Sequence, residues 1–177
     1  TNDRVVVTTS RGNQEKWFDT EKNLWYKADG GCFEALAEAV SSEVLRNFTN
    51  AARLPGISVA NYWVDTAEVH GLKRVVSVSE NFKREDESLI TANTILKNSL
   101  GTGYLEEFNH RTSLKERIRL LVDAMEEATG MQNMGEYLTT LFEIDALFLN
   151  QDRHLNNIAL IRDRSRYKPC PIFDCGD

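Results

Sequence analysis

The sequence predicts an α+β fold in two lobes, a β-rich first part carrying one helix and a mainly helical second part. Three observations lead there. Short β-branched and aromatic runs separated by turn residues fill the first half, apolar residues at helical spacing fill the second, and the last quarter holds one hairpin pattern. The boundary falls after Phe82, which divides the chain into residues 1–82 and 83–177.

Taken in order, Val5-Val6-Val7-Thr8-Thr9 is a short β-branched run, followed by a loop around Gly12 and a second strand through Leu24-Trp25-Tyr26-Lys27. Phe33, Leu36, Val40, Val44 and Phe48 recur at helical spacing and define a stripe expected to be buried. Leu54-Pro55-Gly56 breaks that helix. Two strands are expected over 57–66 and 72–78, joined across Glu68-Val69-His70-Gly71. The mixed charges of Lys83-Arg84-Glu85-Asp86-Glu87 read as a solvated linker.

Beyond that linker, Leu89, Ile95 and Leu96 suggest one helix that stops at Gly101-Thr102-Gly103. Ser113 with Glu116 three residues on forms a capping box for the next helix, whose apolar face holds Leu114, Ile118, Leu121, Val122 and Met125. A last helix starts near Asn133 and is apolar nearly all round, the pattern of a buried central helix. Asp145 is its one polar break, expected to be a hydrogen-bonded structural carboxylate because burial requires a partner. The helix delivers the chain into Asn150-Gln151-Asp152-Arg153-His154-Leu155-Asn156-Asn157. An apolar run, Ile158-Ala159-Leu160-Ile161, a turn over Asp163-Arg164-Ser165-Arg166, and a returning run ending Pro171-Ile172-Phe173 follow. This hairpin is expected to bring Asp174 back beside Asn157.

Chemically, this last quarter reads as a phosphoryl-transfer site. Asp152 and Asn157 are five apart in a polar loop, so one can take a hydroxyl proton while the other reaches a metal on nucleotide phosphates, with Asp174 as second metal ligand. His154 has a supporting reading, tying the loop backbone to the metal-binding segment through its two ring nitrogens. As a zinc ligand it lacks a partner at suitable spacing, and His70 and His110 lie on unrelated segments and read as surface residues.

The 177 residues are 41% hydrophobic and 27% charged, the proportions of a globular chain with a real core. The longest apolar runs fall far short of a membrane span, and no basic-then-apolar leader pattern opens the sequence, so a cytoplasmic location is expected. A net charge of −6 with scattered basic residues argues against a nucleic-acid partner. Three cysteines make no disulfide framework and read as reduced thiols, with Cys170 and Cys175 as packing residues.

The order Asp152-x-His154-x-x-Asn157, hairpin, Phe173-Asp174-x-Gly176 resembles the catalytic half of HipA-like serine/threonine kinases and their relatives, the phosphoinositide kinases. Upstream, Gly12-Asn13-Gln14-Glu15-Lys16 resembles the phosphate loop of the HipA-like group, and the strand ending Tyr26-Lys27-Ala28 resembles the one that carries the phosphate-binding lysine. The resemblance covers the chain from about Ser10 onward. It implies a protein-kinase-like fold that uses ATP and Mg2+, with Gly12, Asn13, Gln14, Lys16 and Lys27 on the nucleotide and Glu34 as the partner of Lys27. Asp152 would be the base, with Asn157 and Asp174 holding the metal.

In such a fold the segment from Glu80 to Phe82 is the hinge, where backbone groups meet the adenine and Phe82 forms an apolar wall. A surface loop after an edge strand reads equally well there. The implied activity is transfer of the ATP γ-phosphate to a protein hydroxyl, with Ser10 as a candidate for self-phosphorylation or simply a turn serine. Two alternatives stay open, a lipid or small-molecule kinase and a non-catalytic nucleotide-binding module. The chain ends three residues past Asp174, where such kinases continue with an activation segment and more helices. A fragment or a natural truncation is therefore expected, with apolar surface left for dimerisation, a partner chain or a further C-terminal segment.

Overall fold

A computed structural model describes residues 5–8, 15–31, 33–52 and 57–176, with the backbone alone for 5–8 and 50–52. It is an α+β structure with five helices and two antiparallel sheets among the described residues. The chain divides into two compact units, Thr1–Phe82 with Pro171–Asp177, and Lys83–Cys170. No helix among the described residues is long and apolar enough to cross a membrane.

The first unit is built on a five-stranded sheet of β1 (Val5–Thr8), β2 (Lys16–Asp19), β3 (Leu24–Ala28), β4 (Tyr62–Val69) and β5 (Leu72–Glu80), in the order β1-β2-β3-β5-β4. Asp19 closes the turn after β2 by accepting from the backbone N–H groups of Glu21 and Lys22. His70 and Gly71, at φ 53° and 78°, make the two-residue β4–β5 loop, whose left-handed residues match the twist of the strands. Register places Lys27 between Lys16 on β2 and Ser77 on β5. Val76 and Val78 on β5 are among the most deeply buried side chains of the unit.

β4 begins at Tyr62, not at residue 57 as its apolar run suggests. The backbone before it is taken by the returning chain. Ala60 N–H donates to the Ile172 carbonyl and Ile172 N–H to the Ser58 carbonyl, both at 2.8 Å. The expected return of the last hairpin through Pro171-Ile172-Phe173 is corrected by the same contacts, which place this segment with the first unit.

The single helix of this unit, α1 (Glu34–Ala52), is rich in alanine and has Glu34 in its first turn, where a carboxylate complements the helix dipole. The stripe of Phe33, Leu36, Val40, Val44 and Phe48, expected to be buried, is exposed at 48–74%. The buried side is the opposite one, with Ala35, Glu38, Ser41, Ser42, Leu45 and Thr49. Polar partners set this rotation. Ser42 Oγ donates to the Ala60 carbonyl at 2.7 Å and accepts from Tyr62 N–H at 3.0 Å, while Ser41 Oγ donates to the Cys175 carbonyl. Helical periodicity marks a stripe but does not say whether it faces the core.

The second unit packs α2 (Ala92–Leu100), α3 (Tyr104–His110), α4 (Leu114–Thr129) and α5 (Met134–Phe148) with a three-stranded sheet of β6 (Glu87–Thr91), β7 (Ala159–Asp163) and β8 (Arg166–Pro169). Leu96, Met125, Met134, Leu138, Leu141, Leu160 and Ile161 are nearly inaccessible and form its core. The capping box on α4 is present, Ser113 Oγ accepting from Glu116 N–H. Leu89, expected on a helix, lies on β6 opposite Ile161, and the helix begins only after Thr91, whose hydroxyl caps Thr94 N–H. Glu87 is likewise no solvated linker residue. It is 3% exposed and accepts from Lys168 Nζ at 2.6 Å, and that hydrogen bond lowers its pKa below the usual carboxylate value. α5 buries one face, while Leu147 and Leu149 at its end are exposed.

Candidate functional site

In the first unit, a buried cluster of charges forms around Lys27 at the end of β3. The lysine side chain, 10% exposed, donates to Glu38 Oε1 at 2.7 Å and to Asp174 Oδ1 at 3.2 Å. Lys16, its cross-strand neighbour, approaches Asp174 Oδ2 at 3.7 Å. Three elements supply these groups: β2 and β3 bring the two lysines side by side, α1 supplies Glu38, and the final segment supplies Asp174. The helix carboxylate opposite Lys27 is thus Glu38, one turn beyond the expected Glu34. Glu34 instead folds back onto the start of its own helix, accepting from Gly30 N–H at 3.1 Å. The rotation of α1 that buries Ser41 and Ser42 brings Glu38 inward.

Two backbone features hold Asp174 in place. Its φ of 56° lies in the left-handed region, an uncommon conformation for a non-glycine residue. Gly176 then passes so close to α1 that a Cβ there would run into the Glu38 backbone, so the glycine of the Phe173-Asp174-x-Gly176 motif is a steric requirement. The Asp174 backbone also hydrogen-bonds the Tyr62 phenol, whose pKa is raised by burial and by the neighbouring Glu38 and Asp174 carboxylates.

The two carboxylates respond oppositely to this setting. Burial raises the Glu38 pKa to about 7, an effect that Lys27 only partly offsets and Asp174 reinforces. Its second oxygen, Oε2, is buried without a hydrogen-bond partner among the described residues, which also disfavours a full negative charge there. For Asp174 burial again opposes ionisation, but Lys27 and Lys16 together prevail and hold its carboxyl below the usual range. The cluster therefore presents one firmly ionised carboxylate and one poised to take a proton near neutral pH.

The second unit carries the polar loop after α5. Asp152 and His154 are exposed and Asn157 is half-buried. Asp152 N–H donates to Asn150 Oδ1, and Asn157 N–H donates to the His154 carbonyl. The loop is anchored by Asp145, the polar break on α5. Arg153 donates to both of its carboxylate oxygens, Nη2 to Oδ1 at 2.8 Å and Nε to Oδ2 at 2.9 Å, and Asn150 Nδ2 adds a third donor at 2.9 Å. Arg153 Nη1 then donates to the Asn157 carbonyl at 2.9 Å. A buried, bidentate ion pair thus ties the helix to the far end of the loop.

Among the expected residues, the structure brings Lys16, Lys27 and Asp174 together in one cluster and places Asp152, His154 and Asn157 in one loop. Gly12, Asn13 and Gln14 lie outside the described residues. Glu80 ends β5 opposite Leu24 and is exposed, and Phe82 packs its ring against Phe173 at 5.8 Å. His70 and His110 are at the surface, His70 beside Glu15. Glu38, Tyr62 and Arg153 were not singled out by sequence reasoning. For Glu38 a signal existed, since it is a carboxylate on the same side of α1 as Ser41, Ser42 and Leu45. No group of three or more His, Cys, Asp or Glu side chains among the described residues could by itself hold a metal ion.

No protein-family model matches the chain, and no curated protein matches it. Among solved structures, the crystal structure of a Helicobacter pylori proinflammatory kinase, CtkA, aligns over 96% of this chain with a TM-score of 0.66 and 20% sequence identity. The chain spans 55% of the length of that neighbour. The fold is accordingly kinase-like.

Proposed function

We propose that the chain binds ATP and catalyses phosphoryl transfer to a protein hydroxyl, as a serine/threonine kinase of HipA-like type. The observation that carries this reading is the buried Lys27 held between a helix carboxylate, Glu38, and the motif carboxylate, Asp174, in a kinase-like fold. A lysine placed so deeply needs a reason beyond solubility, because desolvating its charge is costly without partners.

Magnesium, a hard cation that prefers oxygen ligands, would take the ionised carboxylate of Asp174, with Asn157 as the second ligand that the motif resemblance implies. Bound there, the metal would neutralise charge on the nucleotide phosphates. Lys27 would hold the phosphates in line, with Glu38 fixing the ammonium. Asp152, exposed on a loop anchored through Arg153 and Asp145, would orient the acceptor hydroxyl and take its proton. Rate enhancement would come from positioning and charge stabilisation.

The test is thermal unfolding with ATP, with magnesium and with both, alongside a transfer assay with γ-labelled ATP. Saturation at 100 times Kd adds about 2.7 kcal/mol, a rise of roughly 5–10 °C for a chain this size. The rise is expected with both ligands together and is expected to vanish in Lys27→Met. Asp152→Ala is expected to retain the rise and lose transfer. An unchanged rise in Lys27→Met would remove the nucleotide site from this cluster, and normal transfer by Asp152→Ala would remove the assigned base.

A further inference from the structure

The outward face of α1 is unlike an ordinary solvent face. Phe33, Leu36, Val40, Val44 and Phe48 are 74, 52, 50, 48 and 61% exposed, and at helical spacing they share one arc about a third of the helix circumference wide. Phe33, at φ 66°, directly precedes α1, and from Leu36 to Phe48 the stripe runs about 18 Å along the axis. Ala37 lies within it, and so does Asn47, whose amide is already spent on the Glu43 carbonyl and carboxylate at 2.9 and 2.8 Å. Covering this face would therefore strand no hydrogen-bond donor of the Asn47 side chain.

Single exposed apolar residues need no explanation, but a contiguous stripe of five marks an interaction surface. Its extent matches a stable interface. A standard interface removes about 800 Å² per partner, somewhat over half of it apolar, or roughly 450 Å². With an aromatic side chain offering on the order of 200 Å², the two phenylalanines at these exposures present about 270 Å², and the three aliphatic residues bring the stripe to about 500 Å².

The order of side chains points to the occupant. Read in either direction, the stripe has phenylalanine at both ends and smaller β-branched valine at and beside its middle. Such a stripe is complementary to itself when two copies pack antiparallel about a two-fold axis. Leu36 of one chain then meets Val44 of the other, Val40 meets its own copy, and Phe33 and Phe48 come within one residue, about 1.5 Å along the axis, of facing each other. The small central residues let the helices approach to about 8–10 Å, the ordinary distance for packed helices.

We infer that α1 is a homodimer interface, through which a second copy of this chain packs antiparallel with Val40 at the two-fold axis. The inference is independent of the phosphoryl-transfer reading, since it uses the face of α1 opposite Glu38.

Sedimentation equilibrium over a concentration series, together with engineered cysteines, tests it. The unaltered chain is expected to have the mass of two chains. Val44→Glu, at a position 48% exposed, is expected to raise the dimer dissociation constant about 100-fold or more with thermal stability of the separated chains retained. In a Cys32→Ser background, Val40→Cys is expected to form a disulfide-linked dimer on mild oxidation, whereas Leu72→Cys, on an exposed part of the sheet, is expected not to. A single-chain mass at every concentration would overturn the inference. So would a dimer that Val44→Glu does not weaken, or a failure of Val40→Cys to cross-link while Leu72→Cys does.

Discussion

Lys27 divides one ammonium between two carboxylates, Glu38 at 2.7 Å and Asp174 at 3.2 Å, and this sharing has a consequence for pH. Glu38 is raised to about 7 in the folded chain, against 4.5 when its surroundings are removed. Between those values the folded state holds a proton that the unfolded state has released, so stability falls as pH rises through this window. Asp174 works the other way: its lowered pKa contributes stability above its ordinary value of 3.8 that is lost as pH falls through the folded value. Glu38→Gln removes the first dependence and leaves the second. Urea unfolding at several pH values from 5 to 7 is expected to show a slope in the unaltered chain and a flatter one in Glu38→Gln. Parallel slopes would mean that Glu38 titrates normally. That a lysine should meet a carboxylate on the next helix is legible in the sequence. Which of Glu34 and Glu38 it meets is not, because the choice depends on the rotation of α1, set by Ser42 against Ala60 and Tyr62, far away in sequence.

At the scale of elements, local signals read well and tertiary ones poorly. The Ser113–Glu116 capping box and the left-handed His70-Gly71 loop are decided within a few residues; the box stands where the sequence puts it, and the loop is the second half of the expected Glu68–Gly71 connection, because Glu68 and Val69 pair with Lys73 and Leu72. β6 shows the opposite: Leu89 and Ile90 take strand geometry from pairing with Ile161 and Leu160, about 70 residues later, which no short window contains. The anchoring of the loop after α5 lies between these cases. Asp145 announces itself as a polar break in an apolar helix, but its bond to Arg153 follows from the chain reversing after Leu149, whose φ is 58°. Asp145→Ala would leave a guanidinium buried without its carboxylate, at a cost of about 3–5 kcal/mol. Denaturant unfolding is expected to register that loss, and hydrogen exchange at Asn157 N–H, bonded to the His154 carbonyl, is expected to quicken. If Asn157 exchanges at its original rate in this variant, Arg153 is not what fixes the loop.

For the molecule as a whole, the feature hardest to read from sequence is that one compact unit is discontinuous. Residues Pro171–Asp177 belong with Thr1–Phe82, although they follow directly on a hairpin of the other unit. They contribute Ile172, 2% exposed and bonded through its backbone to Ser58 and Ala60, and Asp174, whose carboxylate meets Lys27 and Lys16. Removing 171–177 would therefore unsettle a unit whose other described residues lie at least 89 positions earlier in the sequence, since Lys83–Cys170, the second unit, lies between. Loss of a buried isoleucine alone is worth about 1.5–3 kcal/mol, which converts to roughly a 10- to 100-fold loss of exchange protection for amides that open with the unit. The loss is expected across β3, β5 and α1, with α4 and α5 keeping their protection because their core of Met125, Leu138 and Leu141 is untouched. Equal loss in both units would show that they unfold as one cooperative body, and no loss in β3 or α1 would show that the last segment is held by the first unit without supporting it.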